Sequence, residues 1–372
     1  MDLTNLITEL SKGFAAFTWG NAVMILVGLI LIFLAIVKEY EPVLLLPIGF
    51  GCLIANLGMS NQVGFMKVIY DAGISTELFP LLIFIGVGAM IDFSPLLSQP
   101  SMVLLGAAGQ FGIYGTLLLA LALGFPLNQA ASIGVIGAID GPTAIFVGTK
   151  LAPEIVAPIA VAAYSYMSLI PIIQPPIMKL MTTRRERLIR MEYSPKPVSR
   201  LTLIIFPILV TLLVALVAPD AAPLMAALML GNLLREALVV ERLSKMAQNE
   251  LINIATLFLG LAIGSTMTAE SFLNWSTLAI LGLGLLAFVI DTVAGLLFGK
   301  LMAVITHGKV NPLIGACGIS AFPMAGRLSA KMALEEDPSN FILMHAMGSN
   351  TAGQLGSVIA GGILLPLVTG IP

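Results

Sequence analysis

Long apolar runs, separated by short polar or charged breaks, organise this chain from end to end. The first clear run is Asn21 to Val37. It is short for the roughly 20 residues that cross hydrocarbon, but Trp19 and Gly20 can extend it. Val43 to Leu57 is the second, Val63 to Ala72 reads as interfacial, and Leu78 to Ile91 follows. Met102 to Phe125, which contains Gln110, reads as a full span. So does Ile155 to Met181, which holds Tyr164, Tyr166 and Gln174-Pro175-Pro176. After a polar stretch the runs resume at Leu203 to Val217, Ala221 to Leu234, Leu251 to Met267 and Ser276 to Lys300, the last interrupted by Asp291. A charged segment, Arg327 to Asp337, leads to a final span, Phe341 to Val368. Leu3 to Phe17 is mildly amphipathic and is expected at the membrane surface. The pattern predicts an all-α polytopic membrane protein.

Two runs are broken in a particular way. The stretch Gly137-Ala138-Ile139-Asp140-Gly141-Pro142-Thr143 puts a carboxylate between glycines and beside a proline, with apolar flanks Ala130 to Ile136 and Ala144 to Val147. Irregular backbone at membrane depth survives only where protein buries it or water reaches it, and an acid there marks a candidate functional site. The alternative is a surface loop between two short helices, but the flanks are too apolar for a solvated loop. A second break, Asn311 to Pro323, carries Gly315, Cys317 and Ser320.

The two halves look alike. Phe84-Ile-Gly-Val-Gly88 resembles Phe258-Leu-Gly-Leu-Ala262, each half then carries a Gly/Pro-broken segment, and each closes on a span with polar groups, Tyr166 in one and Asn350 in the other. Paired interrupted segments at matching positions point to a transporter site built from two repeats. The expected division is a first repeat over 1–180, a connector over 181–200 and a second repeat over 201–372. An odd number of spans, five or so, in each repeat would invert the second copy.

Composition narrows the class. Of 372 residues, 58% are hydrophobic and 10% charged, against the roughly 25% charged of a soluble domain. Gly (36) and Pro (22) are plentiful, as in membrane helices that pack closely or break. The net charge of -2 comes with no basic patch interleaved with aromatics, so nucleic acid is not an expected partner. Seven of the eighteen Lys and Arg residues lie between Lys179 and Arg200, which reads as a cytoplasmic loop. Cys52 and Cys317 give neither a metal spacing nor a disulfide framework, and His307 and His345 alone make a histidine metal site implausible. Asp2 and Glu9 precede the first run and no obvious cleavage site follows it, so no cleavable signal peptide is expected.

The intramembrane polar groups are Asp140, Thr143, Tyr166, Asn311, Ser320, Asn350 and Gln354. All offer oxygen, and none is a thiolate or imidazole. One carboxylate with several neutral oxygens suits a monovalent hard cation, whereas calcium would want two or three acids. A bare buried charge is costly, so Asp140 should hold either sodium or a proton. Each residue also has a structural reading. Ser320 and Thr143 can bond helix carbonyls, Tyr166 can be a packed ring, and Asn350 can glue helices. Asp92 and Asp291 read as interfacial or structural. Arg327 follows the second break and is either a snorkelling cation or a bidentate anion-binding group at the mouth of the ion site.

The runs Gly137 to Thr143, Tyr164 to Pro176, Asn311 to Ser320 and Met347-Gly-Ser-Asn350 resemble the beta subunit of sodium-pumping biotin-dependent decarboxylases, over nearly the whole chain. Members serve oxaloacetate, glutaconyl-CoA, methylmalonyl-CoA or malonate decarboxylase complexes, and the chain's shortness leans weakly toward the two CoA-ester types named first. The resemblance implies that a carboxyltransferase alpha subunit loads biotin on a carrier subunit, that carboxybiotin is decarboxylated here with uptake of a proton, and that sodium moves outward. It implies Asp140 as the sodium-binding acid, Asn311, Gly315 and Asn350 at the sodium site or its coupling, and Tyr166 and Ser320 at a second ion site or in proton delivery. It implies Arg327 as the residue that holds carboxybiotin. It further implies two inverted repeats arranged as a mobile core and scaffold like elevator-type transporters, a small membrane-anchored gamma or delta subunit, a trimer of this subunit, and a place in the bacterial cytoplasmic membrane. From the residues themselves an ion site is legible and a decarboxylase is not. A sodium-coupled organic-anion transporter, with Arg327 on the substrate carboxylate, is the rival reading, and a passive channel is weaker for want of a ring of acids.

Overall fold

A computed structural model describes residues 17–60, 62, 64–191 and 197–370. The expected surface segment Leu3 to Phe17 therefore lies outside the described residues except for Phe17, and Val63 lies outside them too. The described chain is helical with no strand. In order, the main helices are α1 (Trp19–Val37), α2 (Pro42–Ala55), α3 (Gly64–Tyr70), α4 (Leu78–Met90), α5 (Met102–Ala108), α6 (Phe111–Ala122), α7 (Leu127–Gly134), α8 (Gly141–Leu151), α9 (Val156–Met181), α10 (Arg200–Val217), α11 (Ala222–Ala237), α12 (Glu241–Met246), α13 (Ile252–Thr266), α14 (Trp275–Ile305), α15 (Met324–Glu336) and α16 (Leu343–Thr369). Among the described residues six helical segments are long and apolar enough to cross a membrane, or eight if two bent pairs count as spans. One of these pairs lies within α9, which bends by 63°. Pro171, Pro175 and Pro176 lie in the second half of α9, and Pro171, which cannot donate to the carbonyl of residue 167, removes a helix hydrogen bond at the bend.

Two compact units divide the chain. One comprises 1–79 and 253–279 and is held by backbone-close helix crossings. Gly28 and Gly49 meet between α1 and α2, and a Cβ at either would press on the other's carbonyl at 2.8 or 2.7 Å. Gly51 and Gly264 do the same between α2 and α13. Small residues at crossings are how membrane helices gain contact when lipid offers no hydrophobic drive. Asn56 fixes this unit further, with its Nδ2 donating to the carbonyls of Cys52 (2.9 Å) and Met267 (2.8 Å).

The other unit comprises 80–252 and 280–372 and contains both sequence breaks. One expectation holds and one needs correction here. The run Met102 to Phe125 forms a span over Met102–Ala122, with an irregular turn at Gly109-Gln110 between α5 and α6. The turn lets Gly106 and Gly109 lie against Ala352 of α16 and Gly318 of the second break. Conversely, Asp291 does not interrupt its helix. α14 runs through it unbroken, because the carboxylate lies over Gly112 and Gly137, which have no Cβ to oppose it. Asp291 is fully buried rather than interfacial. Asp92 is half-exposed and lies 3.7 Å from Arg235.

Candidate functional site

Asp140 makes the first break a helix start. It is the N-cap of α8, accepting the Thr143 backbone N–H on Oδ1 at 2.8 Å. Pro142 falls in the first turn, where a missing N–H costs nothing. The segment is thus two half-helices, α7 and α8, joined by the turn 135–140, and residues 130–148 are buried throughout. Gln354 of α16 donates its Nε2 to the other carboxylate oxygen. Thr143 Oγ1 is buried beside the Asp140 carboxylate. Gly141 is required sterically, because the Tyr164 ring occupies the place a Cβ would take.

The second break is fastened to the first. Ser320 donates both its backbone N–H (3.1 Å) and its hydroxyl (2.8 Å) to the Ala138 carbonyl, two residues before Asp140. That uses both lone pairs of the carbonyl. Asn350, one turn before Gln354 on α16, donates Nδ2 to the carbonyls of Cys317 (3.2 Å) and Ile319 (2.7 Å) and leaves its buried Oδ1 unpartnered. Asp140, Thr143, Ser320, Asn350 and Gln354 therefore belong to one junction between the breaks.

The remaining predicted residues sit elsewhere. Asn311 caps the turn Pro312–Cys317, accepting Leu313 N–H at 3.0 Å, and donates Nδ2 to the carbonyls of Arg187 (3.0 Å) and Ile189 (2.8 Å). Asn340 donates to the same two carbonyls. Gly315 packs backbone to backbone on Gly295 and Gly299 of α14. Tyr166 donates its hydroxyl to the Leu281 carbonyl at 2.5 Å and turns its ring edge toward Phe288. Arg327 is exposed in the first turns of α15 and lines a cavity of about 400 Å³ with Lys331, Glu335, Leu334 and Leu343.

Beyond the membrane helices, the connector is tied down by charge. Arg187 meets Glu336 at 2.7 Å, Arg190 meets Asp337 at 2.7 Å, and Lys300 meets Glu186 at 3.3 Å. Hydrogen bonds from Ser339, then the Arg190 guanidinium, hold the Asp337 carboxyl down at about 2. The Arg187 hydrogen bond, above all, lowers that of Glu336.

Three residues of this region escaped the pattern. Gln110 reaches across from the α5–α6 turn to the carbonyls of Gly106, Gly318 and Gly353. Tyr164 rather than Tyr166 covers the backbone beside Asp140. Asp291 faces the first break at Gly137. The Tyr164/Tyr166 pair and the intramembrane Asp291 were visible in the sequence, but which helix face each takes was not.

The junction is rich in oxygen-bearing side chains. It offers one carboxylate, a threonine hydroxyl and amide oxygens, in a buried place walled by half-helices. Among the described residues no three His, Cys, Asp or Glu side chains cluster. The fold is that of a multi-pass membrane protein whose two broken segments meet at a buried junction of polar side chains. Residues 20–368 match the family described as the Na+-transporting oxaloacetate decarboxylase beta subunit, and the chain belongs to that family of membrane subunits of sodium-pumping decarboxylases. It is 53% identical over 358 residues to the methylmalonyl-CoA decarboxylase subunit beta of Veillonella parvula, covering 96% of each chain. It is 51% identical to the glutaconyl-CoA decarboxylase subunit beta of Acidaminococcus fermentans, covering 99% of this chain and 98% of the relative. It is 47% identical to the oxaloacetate decarboxylase beta chain of Klebsiella pneumoniae, covering 94% and 95%. Membership favours the pump over the free-standing anion transporter.

Proposed function

We propose that this subunit exports sodium by coupling it to decarboxylation of carboxybiotin, presented on its cytoplasmic side by a biotin carrier and loaded by a carboxyltransferase alpha subunit. A small membrane-anchored gamma or delta subunit would complete the complex, with a trimer of this chain, in the bacterial cytoplasmic membrane. One observation carries the reading: a buried carboxylate, Asp140, lies with the Gln354 amide and the Thr143 residue beside the point where two broken segments are fastened together.

Sodium is the cargo. Asp140 supplies its charge, Thr143 Oγ1 and Asn350 Oδ1 supply neutral oxygens, and Gln354 turns its amide oxygen inward when the ion replaces its N–H contact. Carboxybiotin releases CO2 once its ureido nitrogen takes a proton. Arg327, exposed beside its cavity, is the group to hold the carboxylate of that substrate. Ser320 acts by keeping the second break on Ala138, and Asn311 and Gly315 act by seating that break on the connector and on α14. Tyr166 has its hydroxyl proton committed to the Leu281 carbonyl, and a proton-delivery role requires that bond to open.

The two-repeat division, 1–180 and 201–372 about the connector, belongs to the same proposal, as does a mobile core carrying both breaks within a scaffold. Its support is that each compact unit draws segments from both sides of the connector. The test is Asp140→Asn in the assembled decarboxylase. Sodium-dependent decarboxylation should be abolished while carboxyl transfer to biotin survives. Normal sodium pumping by that variant would sink the proposal. Co-purification of a biotinylated partner would support the pump, whereas sodium-driven anion uptake by the isolated chain would support the rival transporter.

A further inference from the structure

Asp140 and Asp291 are the only buried acids among the described residues, and the mechanism above uses one of them. Asp291 lies in the middle of α14, and both of its oxygens are buried with no partner at hydrogen-bonding geometry. The nearest donor is the backbone N–H of Gly112, in the first turn of α6. Oδ1 lies where a Gly112 Cβ would be, and Oδ2 where a Gly137 Cβ would be. Gly137 belongs to the first break, three residues before Asp140. The α6 start faces the carboxyl on one side and the break covers it on another. Thr116, one turn beyond Gly112 on the same face of α6, has a buried hydroxyl with no partner.

The charged groups around Asp291 are few. α6 presents Gly112 and Thr116, while its Tyr114 is exposed. The break contributes only Asp140. α9 reaches α14 nearby through neutral Gln174, which bonds Thr292, and through Tyr166, committed to Leu281. On α14 itself Lys300 is more than two turns away and paired with Glu186. A bare carboxylate there has no countercharge, and such groups in a membrane pair or neutralise. A hard cation needs several oxygen ligands and room for them. The two carboxyl oxygens instead rest on glycine α-carbons.

We propose that Asp291 is a second cation-binding carboxyl of this subunit, separate from the Asp140 junction, whose ligand is a proton bound when the first break covers it and released when the break lifts. The coupling follows from two opposed neighbours. The Gly112 backbone N–H at the α6 start favours the anion, and the covering backbone of Gly137 excludes the water that a lone anion needs. Displacing the break changes the second and leaves the first. The inference rests on the sodium-pump reading for the motion of the break, and goes beyond it in naming a second acid and its ligand.

The test uses the full-length subunit in lipid vesicles and infrared spectroscopy of carboxylic-acid C=O bands. Asp140→Asn leaves Asp291 intact. At neutral pH this variant should retain one buried carboxylic band that shifts on deuteration, and the band should vanish in the double variant with Asp291→Asn. Absence of any such band in Asp140→Asn overturns the proposal, and does so without requiring an Asp291 variant to fold. In the assembled decarboxylase at saturating sodium, Asp291→Asn should lower turnover about tenfold or more and remove one limb of its pH profile, with the sodium KM changed less than about twofold. An unchanged turnover and pH profile would leave Asp291 a merely buried acid and refute its role. A large rise in sodium KM with the pH profile intact would make it a sodium ligand, which also refutes the proposal. If sodium perturbs no carboxyl band of the unmutated protein, the Asp140 sodium site fails, while a persisting Asp291 band still supports the proton site.

Discussion

Removing one oxygen atom, in Ser320→Ala, tests whether the junction between the breaks sets sodium affinity. The Ser320 hydroxyl and backbone N–H both donate to Ala138, at 2.8 and 3.1 Å. Alanine keeps the backbone bond, so the carbonyl retains a partner and no buried acceptor is orphaned. The cost is then that of one neutral hydrogen bond, about 0.5–1.5 kcal/mol. If that bond holds the first break in its sodium-binding position, affinity should fall by about twofold to twelvefold. Thermal stability should be nearly unchanged, and Ser320→Thr, which keeps the hydroxyl, should stay near the parent. The assay is decarboxylation by the reconstituted complex as a function of sodium, read as half-saturation and maximal rate separately. A half-saturation unmoved by the alanine variant would refute the fastening argument. A loss greater than about a hundredfold would refute it in the other direction, since one fastening bond cannot supply that much energy and Ser320 would have to act on the ion or the proton itself.

Further expectations follow from neighbouring contacts. Gly141→Ala drives a methyl into the Tyr164 ring, at an overpacking cost of about 1–3 kcal/mol. Sodium-dependent turnover should fall, and Tyr164→Leu should partly restore it. Restoration failing while both proteins fold would exclude the steric account. Asn311→Leu and Asn340→Leu each strip two donors from the carbonyls of Arg187 and Ile189, so amide hydrogen exchange at residues 187–190 should rise in either variant and more in the pair. The ion pairs of the connector should also weaken with acid. Glu336 and Asp337 have carboxyls held below their ordinary values. Their contribution is complete above the ordinary carboxylate range near pH 4 and is lost as pH falls through the folded values, for Asp337 only near about 2. Protease sensitivity of the connector, followed downward from pH 5, should rise in that window and not above it.

Much of the architecture was written in the apolar pattern, because spans need runs of a set length and breaks need Gly and Pro. The helices stop and restart at both Gly/Pro-rich stretches, and the final span falls where the pattern put it. The pattern failed at Asp291. An acid looked like an interruption, but glycines on other elements made room for it, and those partners lie some 150 or more residues away in sequence. Partnership was also hidden for Asn311. Its amide type suited an ion site, but its neighbours are connector carbonyls. Asn350 and Gln354 were legible as a pair because a spacing of four puts them on one helix face. That the face meets both breaks depends on tertiary packing.

The double clamp of Asn311 and Asn340 on the connector has a genetic consequence. The carbonyls they hold, at Arg187 and Ile189, and the arginines bound to Glu336 and Asp337 all lie before residue 192, whereas their partners lie beyond residue 300. The peptide chain between 191 and 197 is thus not what joins the two sides at this place. A gene divided there, expressed as two polypeptides, should yield fragments that find one another in the membrane and reassemble. Two ancestral chains could have been fused at this point without any new contact having to evolve.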